Sequence, residues 1–173
     1  MPDVSHHETV LLGLRNGIYS TLGVSLGSHR VTPGEKIDKK DTHPTPTLVA
    51  PLDLPPGAYT IICIDLDAPF ISWNVLSPVA HWIQTGFKIT HPDQELKSDE
   101  PAIAPWTAAS PPPAAVPHRY VFFLYNQNPN SNIPLGLKEK PMGIMQRMRF
   151  DVDAMVKQLG LGDIVAANYF VSN

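Results

Sequence analysis

Two stretches hold the side chains best suited to chemistry: Ile64-Asp65-Leu66-Asp67-Ala68-Pro69 and Pro117-His118-Arg119-Tyr120-Val121-Phe122-Phe123-Leu124-Tyr125. Each sets acid or imidazole groups where an apolar run meets a proline-marked turn. An imidazole titrates near neutral pH, so beside a carboxylate it can hold an anion through its N–H groups or pass a proton. The run 59–64 reads as a buried strand, which leaves Asp65 and Asp67 at its end with Pro69 stopping the ladder beyond. Alternation predicts that both carboxylates share one side. The run 120–124 is β-branched and aromatic, and His118 and Tyr120 stand two apart at its start. Between them, Val79-Ala80-His81-Trp82-Ile83 is a third strand-like segment with a single imidazole. Asp65, Asp67, His81, His118 and Tyr120 are thus expected to converge on one cavity.

Each of these residues also has a plainer reading. Asp65 and Asp67 can cap the turn before Pro69 by accepting from nearby amides. His81, between Ala80 and Trp82, reads alone as a satisfied core histidine, and Tyr120 as a strand aromatic whose hydroxyl finds a core partner. His118 is the hardest to explain by packing, because it follows Pro117 directly and opens a strand. Arg119 alternates away from both neighbours and is expected to be a structural ion-pair partner. A metal site would need tight ligand pairs such as H-x-x-x-H, which this sequence lacks, so no metal or cofactor is expected. There is no G-x-S-x-G, and the one cysteine, Cys63, lies in an apolar strand where an inert thiol is expected. His6 and His7 lie in a polar terminus expected to be disordered.

The elements that must position these groups are short strands separated by turn clusters. Strands are expected at 21–26, 47–50, 59–65, 79–84, 119–125 and 166–171. One helix is expected at 151–159, where Val152, Met155, Val156 and Leu159 repeat at i, i+3, i+4 and i+7, with Asp151 near its start and Gly160 past its end. A second helical piece at 141–149 would carry Met142, Met145 and Met148 on one side, read as core packing. At 173 residues, 43% hydrophobic, the chain fits one domain spanning 1–173. Its 19 prolines exceed the average usage of about 5% and mark 42–56 and 101–117 as extended loops. The net charge of −3 without a basic stripe argues against nucleic acid and gives no patch for anionic membranes. Neither an integral membrane segment nor an apolar leader is seen. A soluble protein is expected, cytoplasmic with secretion left open.

In this order and spacing, the segments Asp65-Leu66-Asp67-Ala68-Pro69, His81-Trp82 and His118-Arg119-Tyr120-Val121-Phe122 resemble the phosphatidylethanolamine-binding protein family and its D-P-D-A-P, H-W and G-x-H-R-Y-V-F motifs. Val31-Thr32-Pro33-Gly34-Glu35, with Thr42, Pro44 and Pro46, is similar to the V-x-P-G segment and the T-x-x-P run after it. The stretch 150–170 is similar to the helix and strand that close the family's fold. The resemblance implies a β-rich α+β domain, a large antiparallel β-sheet packed on a smaller sheet, with few helices. It also implies a small pocket for phosphate, phospholipid head groups or similar anions, in which Asp65, Asp67, Pro69, His81, Pro112, His118 and Tyr120 bind the ligand.

Where the sequence departs from the pattern, the expected pocket changes. Phe70-Ile71 replaces a hydroxyl and a guanidinium at the rim, so together with Trp73 a greasier mouth is expected. Ser110-Pro111-Pro112-Pro113 stands where G-P-x-P is common, stiffening one wall and removing amide donors. The sequence ends at Val171-Ser172-Asn173, without the C-terminal helix of animal members, so no such lid is expected. These features resemble fungal and bacterial branches. Three functions follow from the resemblance. The first is a binder of a small anionic or hydrophobic-anionic ligand. The second is a cofactor-free enzyme of a fungal polyketide pathway, coupling maleic-anhydride-type monomers through His118, His81 and Asp65. The third is a protease or kinase inhibitor, although no residue in the sequence supports a protein partner.

Overall fold

Runs rich in β-branched and aromatic side chains build the sheet of this protein, whose computed structural model describes residues 2–70, 75–90, 94–113, 115–129, 131 and 133–173. The strands are β1 (Gly23–Leu26), β2 (His29–Arg30), β3 (Thr47–Val49), β4 (Ala58–Asp65), β5 (Val79–Thr90), β6 (Glu95–Lys97), β7 (His118–Gln127) and β8 (Leu161–Ser172). Among the described residues four α-helices, α1 (Ser5–Arg15), α2 (Leu135–Glu139), α3 (Ile144–Arg147) and α4 (Val152–Leu159), and a short 3-10 turn at Lys39–Thr42 accompany them. The strands form one antiparallel sheet in the order β2-β1-β3-β6-β5-β4-β7-β8.

Alternation along β4 gives the sheet two buried faces. Tyr59, Ile61 and Cys63 pack with Tyr120, Phe122 and Leu124 of β7 against Val24, Leu26 and Leu48 of the first strands. Ile62 and Ile64 pack with Val121 and Phe123 against α1 and α4. The large and small layers expected from the sequence are therefore two wings of one curled sheet. The curl brings the segments before β1 and after β2 to the outer edge of β8. There Leu22 N–H donates to the Ala167 carbonyl at 2.9 Å, Gly34 N–H to Tyr169 at 2.8 Å and Ile37 N–H to Val171 at 2.9 Å. An edge that would otherwise present free backbone groups is covered. Gly34 has φ +83, and a Cβ there would lie 2.6 Å from the Tyr169 hydroxyl, so the crossing needs glycine.

The six expected strands are present, several of them longer than expected, and α4 has the anticipated ends. Asp151 accepts from Ala154 N–H at 2.9 Å, and Gly160 adopts φ +61. Two expectations fail. His6 and His7 are not disordered but lie in α1: His7, Val10, Leu11 and Leu14 form its buried stripe, and His7 is fully buried with its ring 5.0 Å from that of Phe123. The stretch 141–149 is helical only at α3, and its methionines do not form a core stripe, since Met145 is 76% exposed.

Candidate functional site

Antiparallel register brings the ends of three strands together. Asp65 lies opposite Tyr120 of β7 and Val79 of β5, and His118 shares the face of Tyr120 two residues earlier. His118 Nδ1 donates to Asp65 Oδ2 at 2.9 Å, and its Nε2 donates to the Pro69 carbonyl at 3.1 Å. A carboxylate and a carbonyl can only accept, so the two contacts together require the doubly protonated imidazolium. Burial opposes that charge, but the hydrogen bond and charge of Asp65, with help from Asp67 and the Pro69 carbonyl, outweigh it and raise the His118 pKa. The second oxygen of Asp65 accepts from Asp67 N–H at 2.8 Å.

His81 reaches this face through a bulge. Ile64 pairs with Ala80 and Cys63 with Trp82, so His81 has no partner on β4. The extra residue lets His81 and Trp82 lie on the same side of β5. The His81 ring meets Tyr120 edge-on at 5.0 Å. Its Nδ1 donates to the Thr107 carbonyl at 2.7 Å, and Thr107 is held by its own N–H on the His81 carbonyl at 2.9 Å. Burial lowers the His81 pKa, outweighing the Thr107 carbonyl and the Asp65 charge, while Arg147 and His118 add to the lowering. His81 is thus neutral near pH 7, with Nε2 carrying the lone pair.

Tyr120 is fully buried and its hydroxyl has no hydrogen-bond partner among the described residues. Burial, reinforced by the charge and nearby carboxylate of Asp65 and only partly offset by the Ser110 backbone, raises its pKa, so it remains a phenol that can donate. Arg147 comes from α3, whose flanks are clamped by Met142 N–H on the Ile103 carbonyl at 2.8 Å, Arg149 N–H on Leu76 at 2.9 Å and Phe150 N–H on Pro78 at 2.8 Å. Its Nε donates to the Met142 carbonyl at 3.3 Å. Its Nη1 approaches the Ala80 and His81 carbonyls at 3.3 Å and Thr107 Oγ1 at 3.1 Å.

These groups line a cavity of about 540 Å³, within the range of small-molecule sites. Of the residues singled out from the sequence, Asp65, Pro69, His81, Pro112, His118 and Tyr120 line it. Asp67 does not. β4 ends at Asp65, so the alternation stops there, and Arg119 takes the Asp67 carboxylate with Nη2 at 2.7 Å, Nε at 2.8 Å and its backbone N–H at 2.9 Å. Arg119 is the structural ion-pair partner anticipated for it, and it also bonds Glu8 of α1 at 2.9 Å. Phe70 is not among the lining residues, and Ile71 and Trp73 lie outside the described residues. The apolar wall comes instead from Leu76, Val79, Met142, Ile144 and Met148. Sequence reasoning missed Arg147, one of two arginines with Arg149 in a methionine-rich stretch, where nothing local sets the two apart. Cys63 is fully buried with its thiol pKa pushed well up by desolvation, consistent with inertness. Among the described residues no group of three or more His, Cys, Asp or Glu side chains is arranged to hold a metal ion, and no helix is long and apolar enough to cross a membrane.

The curled antiparallel sheet, with few helices and a cavity at the ends of its central strands, carries a family signature. Residues 27–170 match the model of the phosphatidylethanolamine-binding protein family, and the chain belongs to that family. It is similar to the phomoidride biosynthesis cluster protein N of Talaromyces stipitatus, 27% identical over 99 residues, 55% of this chain. That match spans 50% of the relative's length. Among solved structures, the fold resembles a carboxypeptidase Y inhibitor complexed with its cognate proteinase, with a TM-score of 0.68, 20% identity, and coverage of 97% of this chain and 92% of that one. It also resembles a phosphatidylethanolamine-binding protein from Plasmodium vivax, with a TM-score of 0.70, 20% identity, and coverage of 90% and 87%.

Proposed function

We propose that the chain binds a small anion with an apolar body in the cavity at the ends of β4, β5 and β7. The observation that carries this reading is the pairing of a buried, unpartnered Tyr120 hydroxyl with the His118 imidazolium inside a largely apolar wall. A buried donor without a partner is costly, and an anion would satisfy it. Asp65 holds His118 charged and oriented. The proline-rich wall at Pro112 offers few amide donors, which disfavours a phosphate needing many. Calorimetric titration tests the reading: alkyl carboxylates bind more tightly than phosphoethanolamine, His118→Ala weakens binding, and Cys63→Ala does not. Tight phosphoethanolamine binding with no response to carboxylates would return the chain to a head-group binder.

A second reading is favoured by one feature, two imidazoles in a single cavity whose surroundings push their pKa values in opposite directions, His118 up and His81 down. Neutral His81 can accept a proton from a carbon acid, while Tyr120 and cationic His118 stabilise the resulting enolate. The likeness to a phomoidride cluster protein makes a maleic-anhydride-type monomer the substrate to test. As an enzyme the chain converts such monomers to coupled product, seen by mass spectrometry, and His81→Ala lowers the rate by about 10²–10⁴. Binding without conversion leaves the first reading alone.

A further inference from the structure

We propose that Arg147 anchors the ligand's negative charge, and that the cavity takes a singly charged carboxylate with an apolar body; this rests on the reading of the cavity as an anion site. The charges around the cavity do not cancel without it. Asp65 is matched by His118, and Asp67 by Arg119, which also takes Glu8. Arg147 is 8% exposed, and its partners are the neutral Met142, Ala80 and His81 carbonyls and the Thr107 hydroxyl. Among the described residues it has no carboxylate partner, and only its Nε and Nη1 make hydrogen bonds, leaving Nη2 to donate to a ligand. With His81 and Tyr120 neutral, the cavity holds one positive charge in excess. A buried charge left unpaired is strongly unfavourable, and a single carboxylate restores neutrality.

The other cation is less free to serve. Both nitrogens of His118 already donate, to Asp65 and to Pro69, so it supports a ligand by its field unless it gives up a bond. Arg147 and Tyr120 are the donors with capacity to spare, and a guanidinium matches a carboxylate in shape as well as charge. Leu76, Val79, Met142, Ile144 and Met148 surround these donors with an apolar wall. The same excess charge opposes the ammonium of phosphoethanolamine.

A merely bracing arginine would affect charged and uncharged ligands alike, so the test compares octanoate with octanamide on the full chain by calorimetry. The unmodified protein prefers octanoate. Arg147→Gln removes that preference by weakening octanoate about 10- to 100-fold while leaving octanamide unchanged, and Arg147→Lys keeps part of it. Should Arg147→Gln fail to fold, the Arg147 side-chain N–H resonances of the unmodified protein, assigned by their loss in Arg147→Lys, shift with octanoate and not with octanamide. Equal weakening of both probes, no weakening of either, or resonance shifts alike for both would overturn the anchor. If octanoate binding responds to His118→Ala but not to Arg147→Gln, the anion site stands and the anchor falls. If the unmodified protein binds neither probe, both readings fall.

Discussion

His118 and His81 share a cavity and are both buried, yet they are driven towards opposite charge states. At His118 two acceptors, one of them anionic, outweigh burial, whereas at His81 burial outweighs the single carbonyl and the Asp65 charge, with Arg147 and His118 adding to it. The sign of each contribution to stability follows. With a raised folded pKa, His118 contributes stability in full below the unfolded value of about 6.5, and that contribution is lost as the pH rises through the folded value. With a lowered folded pKa, His81 contributes above about 6.5 and loses its contribution as the pH falls through the folded value. NMR titration of the ring protons is expected to give midpoints above 6.5 for His118 and below it for His81. A common midpoint would contradict the assigned bonds. At this scale the sequence disclosed Asp65, His81, His118 and Tyr120, because residue type and two-residue spacing at a strand end are local signals. The partner of Asp67 and the presence of Arg147 were not legible. One depends on where β4 stops, and the other on backbone carbonyls 66 and 67 residues away.

Elements carry these residues to their places, and the least legible element was α1. The spacing His7, Val10, Leu11, Leu14 was present, but its polar neighbours hid it, and only the apolar face of β4 and β7, with Ile62, Ile64, Val121 and Phe123, gives that stripe something to cover. Leu11→Ala is therefore expected to cost about 2–5 kcal/mol in denaturant unfolding, as a buried leucine should. Leu12→Ala, at a position 57% exposed, is expected to stay within about 0.5 kcal/mol. Equal effects would mean that α1 does not dock as described. β2 and β6 escaped sequence reading for another reason. With two and three residues they have no periodicity to detect, and pairing with β1, β3 and β5 alone makes them strands. The bulge at His81 was equally hidden, because a register shift belongs to two strands and to neither sequence separately.

Across the whole molecule, order is expected to fall from the fully buried strands β4 and β7 to the proline-rich segment 101–113. Hydrogen exchange is expected to be slowest at 61–64 and 121–124 and faster where single bridges such as Ile83 to Ala104 hold the loop. Uniform protection across both would contradict that ordering. Closure of the β8 edge at Gly34 gives a second check: Gly34→Val is expected to destabilise by about 1–3 kcal/mol, since a side chain at φ +83 also strikes Tyr169. The sheet is only one residue thick at β7, and the backbone step that turns His118 inward turns Arg119 outward to Asp67 and Glu8. The cavity therefore has a lever on the far side of the wall. Slackening that lever, by Glu8→Gln or by a bulky fusion ahead of Ser5, would be read out inside the cavity as a change in the titration of His118, with no ligand-lining residue altered.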